Sequence, residues 1–274
     1  MPELITSPAN PLIKQARALR QKKTRDESGL FLVEGILHVG EAAEAGWEIE
    51  SLLYCPEKLK SEFGRSLVDK LIQNGARCQP VSESAFESFA EKENPQGIAV
   101  LVRQKQRGLS AVSPSKLMVA IVAPQDPGNV GTILRTLDAG GADGLILLEG
   151  GADPYHPSAV RASMGTLFWK PFYSANFAEF TAWAKQGGFR LIGTSARATV
   201  DYRQIRLDSR PTVLLLGSEQ KGLLPDHLAA CDELISLPMR GRATSLNLAV
   251  AAGIFLYALT PQNAGSNTEI PKEP

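Results

Sequence analysis

Five polar residues in three separate segments of the sequence have the side chains that a catalytic site would use. Asn129 and Arg135 are six positions apart, nearly two helical turns, and we expect them to face one side of a helix that Asn129 caps. Glu219 follows an apolar run, where a carboxylate can orient a ligand or a catalytic group. Ser245 and Asn247 stand where the chain enters another helix. A plain structural explanation fits the local pattern equally well, with Asn129 only capping a helix and Arg135 lying on the surface.

Glycine and apolar residues suited to a flat ligand occur in the same segments. Gly217 ends an apolar run, and glycine lets a backbone approach a ligand closely. Leu237 and Met239 flank a proline in a loop, and Leu246 precedes a helix rich in small residues that can lie close to another backbone. Ordinary loops and cores show the same patterns, so none of them identifies a ligand alone.

Five apolar runs in the second half of the chain are typical of strands buried on both faces of a parallel sheet. They are residues 117–123, 144–149, 189–196, 212–219 and 233–238. Helix-like segments separate them, at residues 128–139, 157–165, 177–186 and 245–259. The alternation predicts an α/β domain with a parallel sheet and helices on both faces. Ligands of such sheets collect beyond the carboxyl ends of the strands, which is where the three polar segments lie.

The first half of the chain also alternates strands and helices, and we expect a compact α/β domain there as well. Its strands are predicted at residues 30–35, 51–56, 77–81 and 97–102, with helices at 36–45 and 66–74. A polar, basic stretch that follows has the composition of a linker. The predicted organisation is a first domain at 1–105, a linker at 106–116, a second domain at 117–262 and a disordered tail at 263–274. A chain of 274 residues is long enough for two separate cores.

The overall composition excludes several classes of protein. The formal net charge is +0, so any nucleic-acid site must be local. The three cysteines lack the paired spacing of a zinc site and are too few for a disulfide framework. The sequence has neither a secretory signal pattern nor an apolar run long enough for a membrane span. We therefore expect a cytoplasmic protein that has no membrane segment and needs no metal.

The clearest basic segment is residues 7–29, which we expect to be helical. Ile13, Ala16 and Leu19 fall on one apolar stripe, and basic residues surround it. These basic residues are Lys14, Arg17, Arg20, Lys22, Lys23 and Arg25. Cations concentrated within a few helical turns hold phosphates, or they only keep a solvated helix soluble, and the sequence leaves both interpretations open.

Taken together and in this order, the three polar segments resemble the three motifs of the SpoU/TrmH family of RNA ribose methyltransferases, in the SPOUT superfamily. The resemblance covers about residues 117–259, and the front domain, with FLVEG after a basic segment, looks like a substrate-binding domain of the ribosomal-protein L30e type. The resemblance implies a deep C-terminal trefoil knot, a topology that general rules exclude by default. It also implies S-adenosylmethionine as the cofactor and a homodimer whose active site is completed across the interface.

The resemblance also implies roles for individual residues. The adenosine part of the cofactor would be bound by Thr194, Gly217, Leu237, Met239 and Leu246. The family's polar active-site positions are matched by Asn129, Arg135, Glu219, Ser245 and Asn247. The implied substrate is a ribose 2′-hydroxyl of structured RNA, and the front domain favours ribosomal RNA over transfer RNA. RNA would be held by Arg161 together with the basic residues of the segment 7–29.

Methyl transfer from a sulfonium to a hydroxyl needs the nucleophile opposite the leaving sulfur and a route for its proton. The resemblance makes Arg135 the general base, although arginine normally stays protonated. In one version, the substrate phosphate helps Arg135 to accept the proton. In the other, Arg135 clamps the phosphate while the proton leaves by another route. In both versions Asn129 orients Arg135 or the ribose, and Glu219 aligns the arginine.

Two other functions compete with this hypothesis. A nucleotide-binding or dehydrogenase-like fold would also explain the buried strands, but no G-x-G-x-x-G follows the first strand of either half. A ribosome-associated RNA-binding protein that has lost catalysis would retain the front domain, but here the set of five polar residues is complete. A transfer RNA ribose methyltransferase is the alternative that differs only in its substrate.

Overall fold

Two β-sheets form the framework of the chain, which we describe from a computed structural model covering residues 2–91 and 94–260. Within these residues, the front sheet has four strands and the second sheet has seven. The predicted disordered tail, residues 263–274, lies outside the described part of the chain. No helix in the described part is long and apolar enough to span a bilayer.

The front sheet is mixed. Its strands are β1 (Leu30–Glu34), β2 (Ile49–Tyr54), β3 (Cys78–Pro80) and β4 (Ile98–Arg103), in the order β1-β4-β2-β3. Strand β4 pairs antiparallel with β1 and β2, whereas β2 and β3 are parallel. The helices described around this sheet are α1 (Pro11–Ala18), α2 (Lys22–Ser28), α3 (Ile36–Glu44), α4 (Glu62–Gln73) and α5 (Glu83–Glu87). The four predicted strands of this half and the helices predicted at 36–45 and 66–74 are confirmed. Helix α5 was missed because five residues are too few to show a helical repeat.

The basic segment at residues 7–29 is two helices, not the single helix predicted. The side chain of Asn10 caps α1 by accepting a backbone N–H at 2.9 Å. The chain turns after Leu19, and Gln21 is extended where α2 begins. The predicted apolar stripe is confirmed, since each of its residues is fully buried: Ile13, Ala16 and Leu19. The turn changes the direction of the chain, so that Arg25 of α2 points inward and is not part of one continuous basic surface.

The second sheet is parallel throughout the strand pairs described. Its strands are β5 (Leu117–Val122), β6 (Gly144–Leu148), β7 (Phe172–Ala175), β8 (Arg190–Thr194), β9 (Val200–Asp201), β10 (Thr212–Leu216) and β11 (Glu233–Ser236). The helices around it are α6 (Pro127–Ala139), α7 (Pro157–Ala162), α8 (Phe177–Gln186), α9 (Pro225–Ala229) and α10 (Leu248–Leu259). The prediction of an α/β domain with a parallel sheet is confirmed. Strands β7 and β9 were not predicted, because short strands at the sheet edges carry little of the apolar signal.

The order of the second sheet, β7-β6-β5-β10-β8-β11-β9, positions the site. The chain lays down β5, β6 and β7 toward one edge and then crosses to β8 and β9 on the other side. Strand β10 returns to the gap between β5 and β8, and β11 enters between β8 and β9. Because parallel strands end at the same edge, the loops that follow β5, β8, β10 and β11 meet there.

The two sheets share an apolar core. One continuous cluster of buried side chains contains Phe31 and Trp47 from the front half together with Leu145 and Phe168 from the second half. A second cluster lies on the other face of the front sheet, beneath α1 and α5, and a third lies on the other face of the second sheet. One face of the front sheet is therefore buried against the rest of the chain.

Candidate active site

A cavity of about 790 Å³ lies at the carboxyl ends of β8, β10 and β11. The structure places all five predicted cofactor-binding residues in its lining: Thr194, Gly217, Leu237, Met239 and Leu246. Three of the five predicted catalytic residues also line it: Glu219, Ser245 and Asn247. The wall thus combines apolar side chains with loop backbone and a few polar groups, as ligand pockets generally do.

Gly217 is required by the loop itself. A Cβ atom built at this position would lie 2.0 Å from the backbone carbon of Gly222, far inside any contact distance. The loop doubles back there, with Ser218 and Gly222 forming a β-bridge and Gly222 at a φ of 63°. The sequence interpretation, close approach to a ligand, therefore has a second physical reason: the backbone crosses over Gly217.

Three side chains form a hydrogen-bonded bridge between the three predicted segments. Asn247 Nδ2 donates to Asn129 Oδ1 at 2.9 Å, and Asn129 Nδ2 donates to Glu219 Oε1 at 3.0 Å. The other carboxylate oxygen, Glu219 Oε2, accepts the backbone N–H of Gln125 at 3.1 Å. We call Glu219, Asn129 and Asn247 the polar bridge. These residues are 90 and 118 positions apart in pairs, so only the fold brings them together.

The carboxylate of Glu219 fixes the direction of every bond in the polar bridge. Partial burial alone would raise the pKa of Glu219, but hydrogen bonds from Asn129 and from backbone N–H groups, including that of Gln125, lower it overall. An ionised carboxylate only accepts, so Asn129 must present its NH₂ to Glu219 and its carbonyl to Asn247. The carbonyl of Asn247 then faces its own helix, where it accepts the backbone N–H of Ala249 at 2.9 Å and so caps α10.

Asn129 does not cap α6, contrary to the prediction. The cap is Asp126, whose Oδ1 accepts the backbone N–H of Gly128 at 2.8 Å, and Pro127 occupies the first helical position. Asn129 lies inside the first turn and is 7% exposed. The plain structural explanation for Asn129, a helix cap, is therefore removed. The Asp-Pro pair in the sequence was the signal that could have identified the true cap.

Arg135 lies on the exposed side of α6 and is not among the residues that line the cavity. The prediction that Arg135 and Asn129 share one side of the helix is wrong. At 3.6 residues per turn, a spacing of six leaves two side chains about 120° apart around the helix axis. Asn129 accordingly points into the protein, whereas Arg135 points to the solvent.

Helix α6 is held close to α7 by Gly131, which the sequence analysis did not single out. A Cβ at Gly131 would lie 2.2 Å from the carbonyl oxygen of Ala159 and 2.9 Å from Cβ of Ala162. Only a glycine permits this separation between the two helices. Helix α7 presents Arg161 near the front half, where its guanidinium lies 3.4 Å from the Glu91 carboxylate.

Arg25 is the one predicted RNA-binding residue that the structure corrects. It is 1% exposed, and its guanidinium is paired with Asp153 at 2.6 Å. A phosphate cannot reach this guanidinium unless the pair opens. Arg25 is buried because the carboxylate of Asp153 pairs with it in the interior. The two residues are 128 positions apart in the sequence.

The other predicted RNA-binding residues are on the surface and partly engaged with protein groups. Lys22 and Lys23 form i,i+4 ion pairs along α2, at 2.8 Å with Asp26 and at 3.8 Å with Glu27. Such exposed pairs are weak and exchange readily with other anions. The guanidinium groups of Arg17 and Arg20 donate to backbone carbonyls of neighbouring segments. The side chain of Lys14 is exposed on α1.

Comparison with protein families identifies both halves of the chain. Residues 116–257 match the SpoU rRNA Methylase family, and residues 10–100 match the MRM3-like substrate binding domain. Among relatives, the 23S rRNA (guanosine(2553)-2'-O)-methyltransferase RlmP of Bacillus subtilis is 32% identical over 93% of this chain and 98% of that enzyme. The 23S rRNA (uridine(2479)-2'-O)-methyltransferase of Streptomyces viridochromogenes is 32% identical over 94% of this chain and 92% of that enzyme.

Solved structures agree with the sequence relatives. The AdoMet-bound rRNA methyltransferase from Sinorhizobium meliloti superposes with a TM-score of 0.86 at 38% identity, over 93% of this chain and 96% of that one. The SpoU methyltransferase AviRb from Streptomyces viridochromogenes, in complex with AdoMet, gives 0.80 at 30% identity over 91% and 96%. The resemblance found in the three polar segments is thus confirmed, and the chain belongs to the SpoU rRNA methylase family.

Proposed function

We propose that this protein transfers the methyl group of S-adenosylmethionine to a ribose 2′-hydroxyl of ribosomal RNA. The observation that carries the proposal is the polar bridge at the cavity, since it gathers residues from all three predicted motifs into one place. The named relatives are 23S rRNA 2'-O-methyltransferases, and two structural neighbours bind AdoMet. The limits 1–105 and 117–262 for the two domains belong to the same proposal, supported by the two family matches.

The cavity fits the cofactor in size and character. Its volume of about 790 Å³ is in the range that holds ligands of this size. Leu237, Met239 and Leu246 supply apolar surface for an adenine ring, while loop backbone at Gly217 supplies hydrogen-bonding groups beside it. S-adenosylmethionine, when bound, supplies a methyl group activated by a positively charged sulfur.

The protein's own residues then have to hold the ribose and manage its proton. The polar bridge fixes the loops after β5 and β10 against the start of α10, so the walls of the site keep their positions. Ser245, exposed at the cavity, is placed to hydrogen-bond the substrate. Arg135 either accepts the proton of the 2′-hydroxyl, with help from a substrate phosphate, or clamps that phosphate while the proton leaves by another route.

The proposal includes a homodimer whose two sites are completed across the interface. Arg135 is exposed and outside the cavity of its own chain, which supports a role at the cavity of a second copy. Helix α10 adds an apolar surface, since Val250 and Tyr257 are 51% and 56% exposed. Their spacing of seven puts them on one face of the helix. A stripe of this kind is typical of surfaces that become buried in an assembly.

A deep C-terminal knot and an L30e-like front domain are further parts of the proposal. The knot is supported by the return of β10 and β11 between earlier strands and by the tight packing of α10 on α6. At that contact, Thr260 Oγ1 donates to the carbonyl of Gly140 at 2.8 Å. The L30e-like domain is supported by the four-stranded mixed sheet and by the match to a substrate-binding domain. We also propose a cytoplasmic location and metal-free chemistry.

The test combines cofactor binding with mapping of RNA methylation. Calorimetry on the purified protein should show saturable binding of S-adenosylmethionine. Ribosomal RNA from cells that lack the protein should have lost one ribose methylation, and the wild-type gene should restore it. Loss of a methyl group from transfer RNA instead would replace the proposed substrate, and cofactor binding without any lost methylation would contradict the proposed activity.

A further inference from the structure

Aromatic rings fill the surface where the two domains meet, which we call the joint. These rings are Phe31, Trp47, Tyr155, Phe168 and Phe172. The ring centroid of Phe31, on β1, lies 4.6 Å from that of Tyr155, which in turn lies 5.4 Å from Phe172 on β7. Trp47 packs edge-on against Phe168 with its centroid 5.4 Å away. Aromatic pairs at these separations contribute both buried apolar area and a preferred relative geometry. The surface between the domains is thus as closely packed as a core.

A buried ion pair crosses the same joint. The Arg25 guanidinium donates to Asp153 Oδ2 twice, at 2.8 Å and 2.6 Å, and its remaining terminal nitrogen donates to the carbonyls of Leu19 and Arg20. Asp153 Oδ1 accepts the backbone N–H of Tyr155 at 2.8 Å. Separating the domains would break both bonds of this pair and the aromatic contacts around it. The pair therefore holds the two domains in one relative position.

Further hydrogen bonds connect the two domains near the ion pair. The Tyr155 hydroxyl donates to the carbonyl of Lys105 at 2.7 Å and accepts the Lys105 backbone N–H at 2.8 Å. Burial raises the pKa of Tyr155, so the phenol stays protonated and keeps donating at neutral pH. The Trp47 indole N–H donates to the carbonyl of Phe168 at 2.9 Å. The end of the predicted first domain is thus fixed to the second domain.

The ion pair also fixes the basic helix α2. Lys22 and Lys23 precede Arg25 on this helix and project into the solvent. Because Arg25 anchors α2 to Asp153, the joint sets the distance between these two lysines and the cavity. A flexible linker would leave that distance variable.

We infer that the joint is a positioning element, which holds RNA bound to the front domain at one fixed distance from the methyl donor, with Arg25 and Asp153 as its central contact. The inference rests on the proposed function. A fixed distance favours the one ribose that reaches the cavity when the phosphates are bound at the front domain, since small errors in placement cost large factors in rate. Arg25 and Asp153 act through position and do not touch the reacting atoms.

Two variants change the joint while leaving the cavity intact. Asp153→Asn keeps the size of the side chain but leaves the buried Arg25 without a carboxylate, and Tyr155→Phe removes only the hydroxyl that bonds to Lys105. Asp208→Asn is the matched control, because its ion pairs with Arg210 and Arg190 both lie within the second domain. The measurements are calorimetric unfolding, S-adenosylmethionine affinity, and kcat, KM and target nucleotide on a long ribosomal RNA fragment.

We expect the wild type to unfold in a single transition. Asp153→Asn should lower the unfolding midpoint by on the order of 10 °C, because a buried pair is broken. It should lower kcat on RNA by about tenfold to a hundredfold, with methyl groups appearing on neighbouring nucleotides, while cofactor affinity stays within about twofold. Tyr155→Phe should change kcat and target choice in the same direction by less, and Asp208→Asn should match the wild type.

The inference is overturned if Asp153→Asn keeps the wild-type kcat and the same target nucleotide although its unfolding midpoint falls. It is also overturned if the wild-type domains unfold in two separate transitions. A wild-type protein that transfers no methyl group to RNA would instead refute the proposed function, so the two failures are seen in different samples.

Discussion

The joint and the cavity use polar side chains in opposite ways. In the joint, Arg25 and Asp153 form hydrogen bonds with each other and with nearby backbone groups, and both side chains are almost completely buried. At the cavity, Ser245 and the bridge residue Glu219 remain exposed. A buried polar group whose hydrogen bonds are all made within the protein fixes two segments relative to each other. A polar group that is held by one hydrogen bond but remains exposed can bind a ligand.

The largest effect is expected for Arg135. This residue is proposed to act on the substrate directly, whereas the joint acts only through position. Arg135→Ala should lower kcat by about 10²–10⁴-fold, the range of a lost proton-transfer or phosphate-clamping group. Affinity for S-adenosylmethionine should be nearly unchanged, since Arg135 does not line the cavity of its own chain. Steady-state kinetics with calorimetry checks this, with Lys185→Ala as an exposed control in the same domain. Normal turnover in Arg135→Ala would remove this residue from the mechanism.

The polar bridge should matter next, because it fixes the cavity walls from behind. Asn129→Ala removes both hydrogen bonds of the central residue and leaves Glu219 and Asn247 unconnected. We expect kcat/KM to fall by about 10–100-fold, which corresponds to about 1.4–2.8 kcal/mol of transition-state stabilisation. The unfolding midpoint should move little compared with Asp153→Asn. A large loss of stability with little loss of activity would contradict the role of the bridge in fixing the cavity walls.

Gly131 lies between the two regions, since it packs α6, which carries Asn129 of the polar bridge, against α7. Gly131→Ala introduces a methyl group 2.2 Å from a backbone oxygen, so the helices must separate. We expect the free energy of unfolding to fall by about 1–3 kcal/mol, as for other overpacked sites. Denaturant unfolding measures this. Gly108→Ala is the control, because a Cβ there meets no atom within 4 Å, and equal stability of both variants would contradict the close packing.

A smaller, pH-dependent effect is expected for Glu219, the carboxylate of the polar bridge. The pKa of Glu219 is lowered in the folded protein, so its stabilising contribution is present above the unfolded pKa and is lost as the pH falls through the folded value. Glu219→Gln should therefore be less stable than wild type near neutral pH, and the difference should shrink in acid. A difference that grows as the pH falls would contradict the lowered pKa.

The smallest effect is expected at the front surface. Replacing both Lys22 and Lys23 with alanine should weaken RNA binding several-fold and reduce its salt dependence by up to about two counterions, because two phosphate contacts are lost. The intrahelical ion pairs of both lysines limit the loss. Titrations at several salt concentrations measure it, with Lys185→Ala as the control. An unchanged salt slope would make these lysines only part of a solvated helix.

The sequence predicted the parts of the molecule whose signals are local. Strands β5 and β10 were evident because both faces are buried and every residue is apolar or nearly so. Strand β9 escaped notice because it has two residues, and the break between α1 and α2 escaped because the basic pattern continues through it. The burial of Arg25 depends on a carboxylate 128 positions away, which no local pattern reveals.

From the sequence, the site was predictable only as three segments that carry the expected residue types in the expected order. The three segments could be recognised, but the bond from Asn129 to Glu219 spans 90 positions and results from the return of β10 beside β5. Arg135 was placed on the wrong side of α6, because its spacing from Asn129 was judged by turns and not by angle. The joint could not be foreseen, since its apolar residues would look the same in two separate cores.

The most direct test of the central claim is methyl transfer to a defined hydroxyl. The protein would be incubated with S-adenosylmethionine carrying a labelled methyl group and with unmethylated ribosomal RNA, and the labelled nucleotide would be mapped. A fragment of that RNA would then be made with a 2′-deoxy sugar at the mapped position only. We predict label on one ribose in the normal RNA and none in the deoxy fragment. Label retained by the deoxy fragment, or no label in either RNA, would contradict a ribose methyltransferase.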